Sequence, residues 1–286
     1  MAKFVPDVHS QRWIVISQTR IDRPDDSKDE KKEGIKKICP LCPGNENLTP
    51  SEIMRLGEGE KNKQGWYIRV LPNKFPITDT HEVIIHSPDH NKDIEDFEVS
   101  HVTMLLKVYR ERFQAHANEG QVMIFCNHGE HAGASLKHPH SQLVLIPKQI
   151  NLDALVREPV MNVIEDNNYF VTYCPDFSQW PFEVWIAPKK SGTILGDIND
   201  EEVKDLAIIL QKALKRLHRK YEDPFVRKIH PSLPFAYNYY IHHAKEWFIR
   251  IIPRLVHRAG FELGTGLSVN VVDPTVAAQE LAKIEV

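Results

Sequence analysis

Residues 138–142 read His-Pro-His-Ser-Gln, and their types and spacing are suited to phosphoryl chemistry. In an extended segment the residues i, i+2 and i+4 share one face, so His138, His140 and Gln142 are predicted to point into one space. Pro139 fixes its own φ and favours extended geometry at the preceding residue, which makes the segment stiff. A neutral imidazole held beside an amide donor is suited to nucleophilic attack on phosphorus. The alternative is a strand end that is merely rich in histidine.

A second candidate site is Cys39-Pro-Leu-Cys42, whose spacing lets two thiolates reach one tetrahedral metal ion. A turn with two buried thiols and a redox pair are alternatives. Two further ligands are needed, and histidine is the most common type. His90 and His138 are candidates, but residue types alone do not select them from the fifteen histidines.

The segment 127–135 is a candidate loop for an anionic group, because glycine and small residues permit close backbone approach. It contains Asn127 and Gly133, and Ser135 adds a hydroxyl directly before the histidine motif. In isolation, a plain glycine loop is the commoner case.

Two weaker segments also fit a nucleotide. Arg20 and Arg23 could bind phosphate in bidentate fashion, although solvated arginines are the usual case. Asn73 and Phe75 follow a predicted strand and could present an amide edge and an aromatic face to a base. A turn with one buried phenylalanine explains them equally well.

Composition limits the class of protein. The chain has 286 residues, 42% hydrophobic and 26% charged, with a net charge of −3, which argues against general nucleic-acid or membrane-surface binding. No apolar run approaches the roughly 20 residues that span a bilayer, and the N-terminal residues lack a signal-peptide core. Four cysteines with one close pair indicate a reducing compartment. These features predict a cytosolic protein.

Hydrophobic patterning predicts an internal duplication. Strands are expected near 13–16, 67–71, 82–86, 122–126 and 142–146, with a helix over 93–117. The order recurs with strands near 181–186, 235–240 and 247–252 and a helix over 201–221, offset by about 101 residues. Each copy is strand-rich with one long helix, which predicts an α+β fold of antiparallel sheets carrying helices. The predicted halves are 1–155 and 156–286, and an edge strand from each could join the two sheets.

Taken together, the motifs resemble the galactose-1-phosphate uridylyltransferase family of the histidine-triad superfamily. The resemblance covers most of the chain. The motifs that carry it are Trp13-Ile-Val-Ile-Ser with Arg20 and Arg23, Cys39-Pro-Leu-Cys42-Pro-Gly-Asn, Asn73-Lys-Phe75-Pro, Ser87-Pro-Asp-His90, Asn127-x-Gly-x-x-x-Gly-Ala-Ser135, His138-Pro-His140-Ser-Gln142 and Ala259-Gly-Phe-Glu262.

This resemblance implies two tandem histidine-triad-like units and a two-step nucleotidyl transfer. His140 would attack the α-phosphorus of a nucleotide sugar, hold the nucleotide covalently and release a sugar phosphate. A hexose 1-phosphate would then take the nucleotide. A backbone carbonyl near His138 would orient the nucleophile, and Gln142 and Ser135 would donate to phosphoryl oxygens.

The resemblance also implies a structural zinc ion on Cys39, Cys42, His90 and His138, arginines that neutralise the phosphates, and Glu262 against sugar hydroxyls. It further implies a homodimer that acts in galactose and carbohydrate metabolism. Family members can carry a second metal site in the C-terminal half. Here Phe248 and Arg250 replace its histidines, so no second metal is expected.

The base and the acceptor stay open. Well-known uridylyl enzymes carry an acidic residue where this chain has Lys74. The alternative is therefore an ADP- or GDP-hexose phosphorylase, or a diadenosine polyphosphate phosphorylase, that uses inorganic phosphate. A nucleotide-binding protein without turnover is a lower alternative, because a mere binder needs no nucleophile. A zinc-ribbon nucleic-acid module is disfavoured by the lack of a second Cys-x-x-Cys pair and of a basic stripe.

Overall fold

The structure is a computed structural model that describes residues 2–6, 13–18, 20, 38–152, 159–229 and 233–286. Its strands are β1 Lys3–Pro6, β2 Trp13–Ile16, β3 Met54–Gly57, β4 Trp66–Pro72, β5 His81–Ile85, β6 Gln121–His128, β7 His140–Ile146, β8 Val163–Asp166, β9 Phe170–Tyr173, β10 Val184–Pro188, β11 Tyr237–Ile241 and β12 Ile249–Pro253. Its α-helices are α1 Val99–His116, α2 Asp200–Tyr221, α3 Pro224–Ile229, α4 Gly260–Thr265 and α5 Pro274–Ala282.

A ten-stranded antiparallel sheet organises most of the described residues, in the order β3-β4-β5-β7-β6-β11-β12-β10-β9-β8, and β1 and β2 form a separate antiparallel pair. The first five strands of the ten-stranded sheet precede the other five in sequence, and β6 pairs with β11 where the two sets meet. The predicted α+β class and the joining of two sheets through one strand from each half are confirmed. The predicted domain boundary between residues 155 and 156 lies outside the described residues and stays a prediction.

Helices α1 and α2 cover one face of this sheet and form the main core with it. Helix α2 begins cleanly because Asn199 Oδ1 accepts hydrogen bonds from the backbone N–H groups of Glu201 and Glu202, while Glu202 accepts from Asn199 N–H. Leu206, Leu210 and similar residues then recur at helical spacing and are fully buried. The opposite face of the sheet is left for the functional residues.

The helix predicted over 93–117 begins later than expected. Asp93 caps a short 3₁₀ turn, Ile94–Asp96, and Phe97 is extended, so the α-helix starts only at Val99. Most of the polar segment 17–37 lies outside the described residues. Within the part of the chain that the structure describes, no helix has the length and apolarity needed to cross a bilayer.

The predicted 101-residue offset is wrong by one residue at β5 and β10. It equates Glu82 with Glu183, but Glu82 pairs with Arg112 on the helix side, whereas Glu183 pairs with Arg250 on the other face. Successive strand residues point to opposite faces, so equivalent residues must keep the same face. An offset of 102 residues makes Val83 equivalent to Trp185 and puts equivalent residues on the same face of the sheet. Val83 is paired with Gln142 and Trp185 is paired with Arg250 on the neighbouring strands, so Gln142 is equivalent to Arg250.

Candidate functional site

The nucleophile predicted from sequence lies at the first residue of β7 and is almost fully buried. His140 Nδ1 is 2.8 Å from the carbonyl oxygen of His138, two residues earlier. Because a carbonyl oxygen can only accept, Nδ1 carries the proton and donates it. The in-plane lone pair of the neutral ring then belongs to Nε2, the nitrogen that can act as a nucleophile. The Pro139 linkage keeps the two histidines in the extended geometry that this hydrogen bond requires.

A cavity of about 220 Å³ opens beside His140. Five of the predicted site residues line this cavity, namely His140, Gln142, Ser135, Asn73 and Phe75. Most of the remaining wall is apolar, as is usual for small-molecule sites. The lining residues are Pro40, Leu41, Leu48, Thr49, Pro50, Leu71, Asn73, Lys74, Phe75, Val83, Ser135, Leu136, His140 and Gln142.

Cys39, Cys42, His90 and His138 form a group that could bind a metal ion, with their ligand atoms all within 4.8 Å of one another. Cys42 Sγ lies 3.3 Å from His90 Nδ1 and 3.5 Å from His138 Nδ1. Tetrahedral zinc with ordinary Zn–S and Zn–N bonds places sulfur and nitrogen ligands about 3.6 Å apart, so these separations suit the ion.

The outer contacts of this group also fit a metal. His138 Nε2–H donates to the carbonyl oxygen of Ser87 at 2.9 Å, which leaves Nδ1 unprotonated and directed at the sulfur of Cys42. Metal-bound histidines typically use their second nitrogen in this way. Burial raises the pKa of the Cys39 thiol to about 12 and lowers the pKa of His138 to about 4. Without an ion, the side chains of Cys39 and His138 are therefore both uncharged near neutral pH. A bound cation would displace the proton of the Cys39 thiol.

The turn that follows β4 holds Asn73 and Phe75 at the cavity. Asn73 Oδ1 accepts a hydrogen bond from Phe75 N–H at 2.8 Å, and Asn73 N–H donates to the carbonyl oxygen of His81 at 2.7 Å. Asn73 therefore shapes the turn as well as lining the cavity. Its side-chain oxygen is engaged within the protein, so the predicted contact with a base would have to use its amide nitrogen or the ring of Phe75.

Of the two predicted arginines, Arg20 is placed beside this turn, where its Nη1 donates to the carbonyl oxygen of Phe75 at 3.0 Å. A guanidinium has five N–H donors, so this contact engages only part of its capacity. Arg23 lies outside the described residues, and its predicted role stays a prediction.

The glycine loop reaches the cavity through one of its three predicted residues. Gly133 has φ of +78°, a left-handed conformation that favours glycine, and it ends a short 3₁₀ turn before Ser135. Asn127 instead accepts a hydrogen bond at 2.8 Å from Asn238 across the β6–β11 junction. Among the described residues that line the cavity, Ser135 is present, whereas Asn127 and Gly133 are not.

Glu262 lies in the first turn of α4, where its carboxylate accepts a hydrogen bond from the backbone N–H of Ala259 at 3.0 Å. It is not one of the described cavity-lining residues of this chain. Five residues predicted from sequence do line one cavity in the structure: His140, Gln142, Ser135, Asn73 and Phe75. The predicted contact of Glu262 with sugar stays a prediction.

Several cavity residues were not predicted from sequence. Leu48, Thr49 and Pro50 form part of the wall, and Leu136 lies between the glycine loop and the histidines. The only sequence signal for the first three was their position just after the cysteine pair. His81, which contacts Gln142 from β5, was also missed.

A buried polar network supports β7 from the helix side of the sheet. Ser141 Oγ is 3.1 Å from His86 Nε2 and accepts from Tyr109 OH at 2.6 Å, while Asp93 accepts from His86 and His128 at 2.8 Å each. Burial opposes ionisation of Asp93, yet the two imidazoles hold its pKa well below the usual range. Ser141 thus anchors the middle of the motif on one face while His140 and Gln142 face the cavity.

Comparisons with known proteins show which sequences and folds this chain is similar to. Residues 21–149 match a family model described as a domain of unknown function, the DUF4931 N-terminal domain. The chain is 26% identical to ADP-glucose phosphorylase of Arabidopsis thaliana over 97% of its own length and 92% of that protein. It is 24% identical to galactose-1-phosphate uridylyltransferase of Thermotoga maritima over 97% and 96% of the two chains.

The crystal structure of the Arabidopsis thaliana ADP-glucose phosphorylase, which holds ADP-glucose, matches with a TM-score of 0.74 over 100% of both chains at 24% identity. That likeness confirms the fold. Sequence and fold together confirm the resemblance that the motifs predicted: the chain is a homologue of the galactose-1-phosphate uridylyltransferases and of ADP-glucose phosphorylase.

Proposed function

We propose that this protein is a nucleotidylyltransferase that moves a nucleoside monophosphate from a nucleotide sugar to a phosphorylated acceptor through a covalent intermediate on His140. The observation that carries the proposal is the hydrogen bond from His140 Nδ1 to the His138 carbonyl, beside a cavity that Gln142 and Ser135 also line. Relatives of this chain that match nearly its whole length carry nucleotidyl-transfer or phosphorylase names.

In the first step, His140 Nε2 attacks the α-phosphorus of the nucleotide sugar. A P–N bond forms, the bond from phosphorus to the bridging oxygen breaks, and the sugar 1-phosphate leaves with that electron pair. The imidazole gains positive charge in this step, and the His138 carbonyl dipole at Nδ1–H stabilises that charge. Gln142 and Ser135 donate hydrogen bonds to the non-bridging oxygens, and Arg20 adds positive charge near them.

In the second step, an oxygen of the acceptor attacks the same phosphorus and the P–N bond breaks, returning the lone pair to His140 Nε2. The acceptor that we propose first is a hexose 1-phosphate, which makes the reaction uridylyltransferase-like. The apolar wall and Phe75 would hold the base of the nucleotide, since every base offers an aromatic face.

The second candidate is a phosphorylase that uses inorganic phosphate as the acceptor and ADP-glucose as the donor. Two observations favour it. The relative named ADP-glucose phosphorylase matches almost the whole of both chains. In addition, Lys74 lines the cavity and supplies a cation for a small anionic acceptor.

We further propose that Cys39, Cys42, His90 and His138 hold a structural zinc ion. Thiolate and imidazole are preferred zinc ligands, and four protein ligands leave no open position for substrate. The ion would tie the cysteine turn to the residue whose carbonyl orients the nucleophile. Its contribution would be to the shape of the site, with the transfer left to His140.

The predicted homodimer and the predicted cytosolic location stay predictions. The segment around α4 supports the dimer, because Phe261 and Leu263 are largely exposed there, as are Leu267, Val269 and Val271. Exposed apolar residues in one segment are typical of a surface that a partner covers.

The covalent step can be tested with a nucleotide sugar labelled in its α-phosphate. The wild-type protein should retain acid-labile label, whereas His140→Asn should retain none, because asparagine can still donate to the His138 carbonyl but has no nucleophilic nitrogen. His218→Asn, an exposed histidine on α2, is the control and should label like wild type. Label on His140→Asn would contradict the proposal, as would its absence from wild type with UDP-, ADP- and GDP-sugars alike.

The acceptor can be identified by product analysis. With labelled wild type, a hexose 1-phosphate should release a nucleotide sugar if the first candidate is right, and phosphate should release a nucleoside diphosphate if the second is right. Measuring kcat/KM for UDP-, ADP- and GDP-glucose with each acceptor separates the two. Release by phosphate alone would exclude the uridylyltransferase-like reaction.

Metal analysis tests the zinc proposal. The purified protein should contain about one zinc ion per chain, because the four ligands complete one tetrahedral site. Cys39→Ser should lose most of it, whereas Cys174→Ser should keep it, since Cys174 is buried elsewhere, at the end of β9. Equal zinc in both variants, or none in wild type after growth with zinc, would contradict this assignment.

A further inference from the structure

His81, the first residue of β5, is a buried histidine that contacts the site from the neighbouring strand. Its Nδ1 lies 2.9 Å from the backbone nitrogen of Ile77, and its Nε2 lies 3.0 Å from Oε1 of Gln142. Only 4% of its surface is exposed. His81 therefore connects a backbone group of the turn to the amide that we place against the phosphoryl oxygens.

The backbone group decides where the ring proton is. The N–H of Ile77 can only donate, so Nδ1 of His81 must accept and cannot carry a proton. A neutral imidazole has one proton, which must then be on Nε2. The doubly protonated ring is disfavoured in this position, because two N–H groups would face each other at Nδ1.

The proton on Nε2 in turn decides which way the Gln142 amide points. Oε1 of Gln142 lies near this N–H, and so does Nδ2 of Asn73 at 3.2 Å. The oxygen of Asn73 is held by Phe75 N–H, and an amide nitrogen cannot accept, so Asn73 does not take the proton of His81 Nε2. Of these groups only Oε1 of Gln142 can accept, so the amide oxygen turns to His81 and the NH₂ group turns to the cavity.

We propose that His81 is a positioning residue that presets Gln142 to offer N–H donors, rather than an oxygen, to the transferring phosphoryl group. This inference rests on the proposed function. A reversed amide would direct an oxygen lone pair at phosphoryl oxygens, which is repulsive. Donors fixed before the substrate arrives need no reorganisation during the transfer, the condition under which such donors are most effective.

Two amide substitutions separate the roles of the two ring nitrogens. In His81→Gln the terminal NH₂ is near the position of Nε2, so it can still donate to Gln142. In His81→Asn the amide is near the position of Nδ1, so it can still accept from Ile77 but does not reach Gln142. The two variants differ by one methylene group, which makes each a control for the other.

The readout is the single-turnover rate of nucleotide attachment to His140, measured beside KM and thermal stability. We expect His81→Asn to slow attachment by at least about tenfold, since a misdirected donor removes transition-state stabilisation. His81→Gln should stay within about threefold of wild type, with KM changing less than the rate in both variants. Equal rates for the two variants, or a loss that simply follows stability, would overturn the proposal.

The ring proton can also be located without turnover, by nitrogen-15 NMR of the histidine side chains in the wild-type protein. A resonance of His81 with the proton on Nε2 is expected. A proton on Nδ1, or on both nitrogens at neutral pH, would overturn the positioning role whatever the enzyme does. If wild type forms no adduct, the proposed function fails, and this measurement still decides the orientation of His81.

Discussion

The hydrogen bond from His140 Nδ1 to the carbonyl oxygen of His138 is the interaction on which the site depends. It fixes the ring proton on the side away from the proposed reaction, and it does so with a backbone group that side-chain motion cannot remove. His138 is also a member of the metal-ligand group. The side chain of His138 thus contacts the cysteine turn, and its backbone carbonyl holds the nucleophile. Disruption of the metal-ligand group would therefore change the position of His140 even though no metal would contact the substrate.

The sheet explains why only one such site exists among the described residues. In the second half, Phe248 stacks on Trp185 with ring centroids 3.9 Å apart, and Arg250 forms a buried bidentate pair with Glu183. Breaking such a buried pair leaves an uncompensated charge, so these residues are held in place. The space that the first half keeps as a cavity is filled here by side chains. The second half then serves as a packed support, joined to the first through β6 and β11.

Many of these strands and helices can be predicted from the sequence, because the hydrophobic residues of buried elements recur with a strong periodicity. The strand at 122–126 and the helix at 201–221 were predicted within two residues of their observed bounds. The short strands β1, β3, β8 and β9 were not predicted, since they carry little pattern, whereas the equally short β2 consists entirely of apolar residues. Glu82 and Glu183 look alike in sequence but face opposite sides of the sheet, because one residue of register reverses every side chain.

Site residues that are close together in the sequence could be predicted. Residues that only the fold brings into contact could not. His140 and Gln142 came from one pentapeptide, but His90 was chosen as a metal ligand only through the family resemblance. His81 is one of fifteen histidines, and only the fold brings it to Gln142. The part of the wall from Leu48 to Pro50 lies at the end of a short 3₁₀ turn, which is too short for periodicity to indicate what its residues face.

The proposed reaction requires that Nε2 of His140 form the bond to phosphorus while Nδ1 stays hydrogen-bonded to the His138 carbonyl. Its most direct test is to trap the labelled protein without acceptor, map the modified peptide, and use phosphorus–proton correlation NMR to assign the ring nitrogen. We expect a single nucleotide, attached to Nε2 of His140. A nucleotide on Nδ1, or on any other residue, would contradict it.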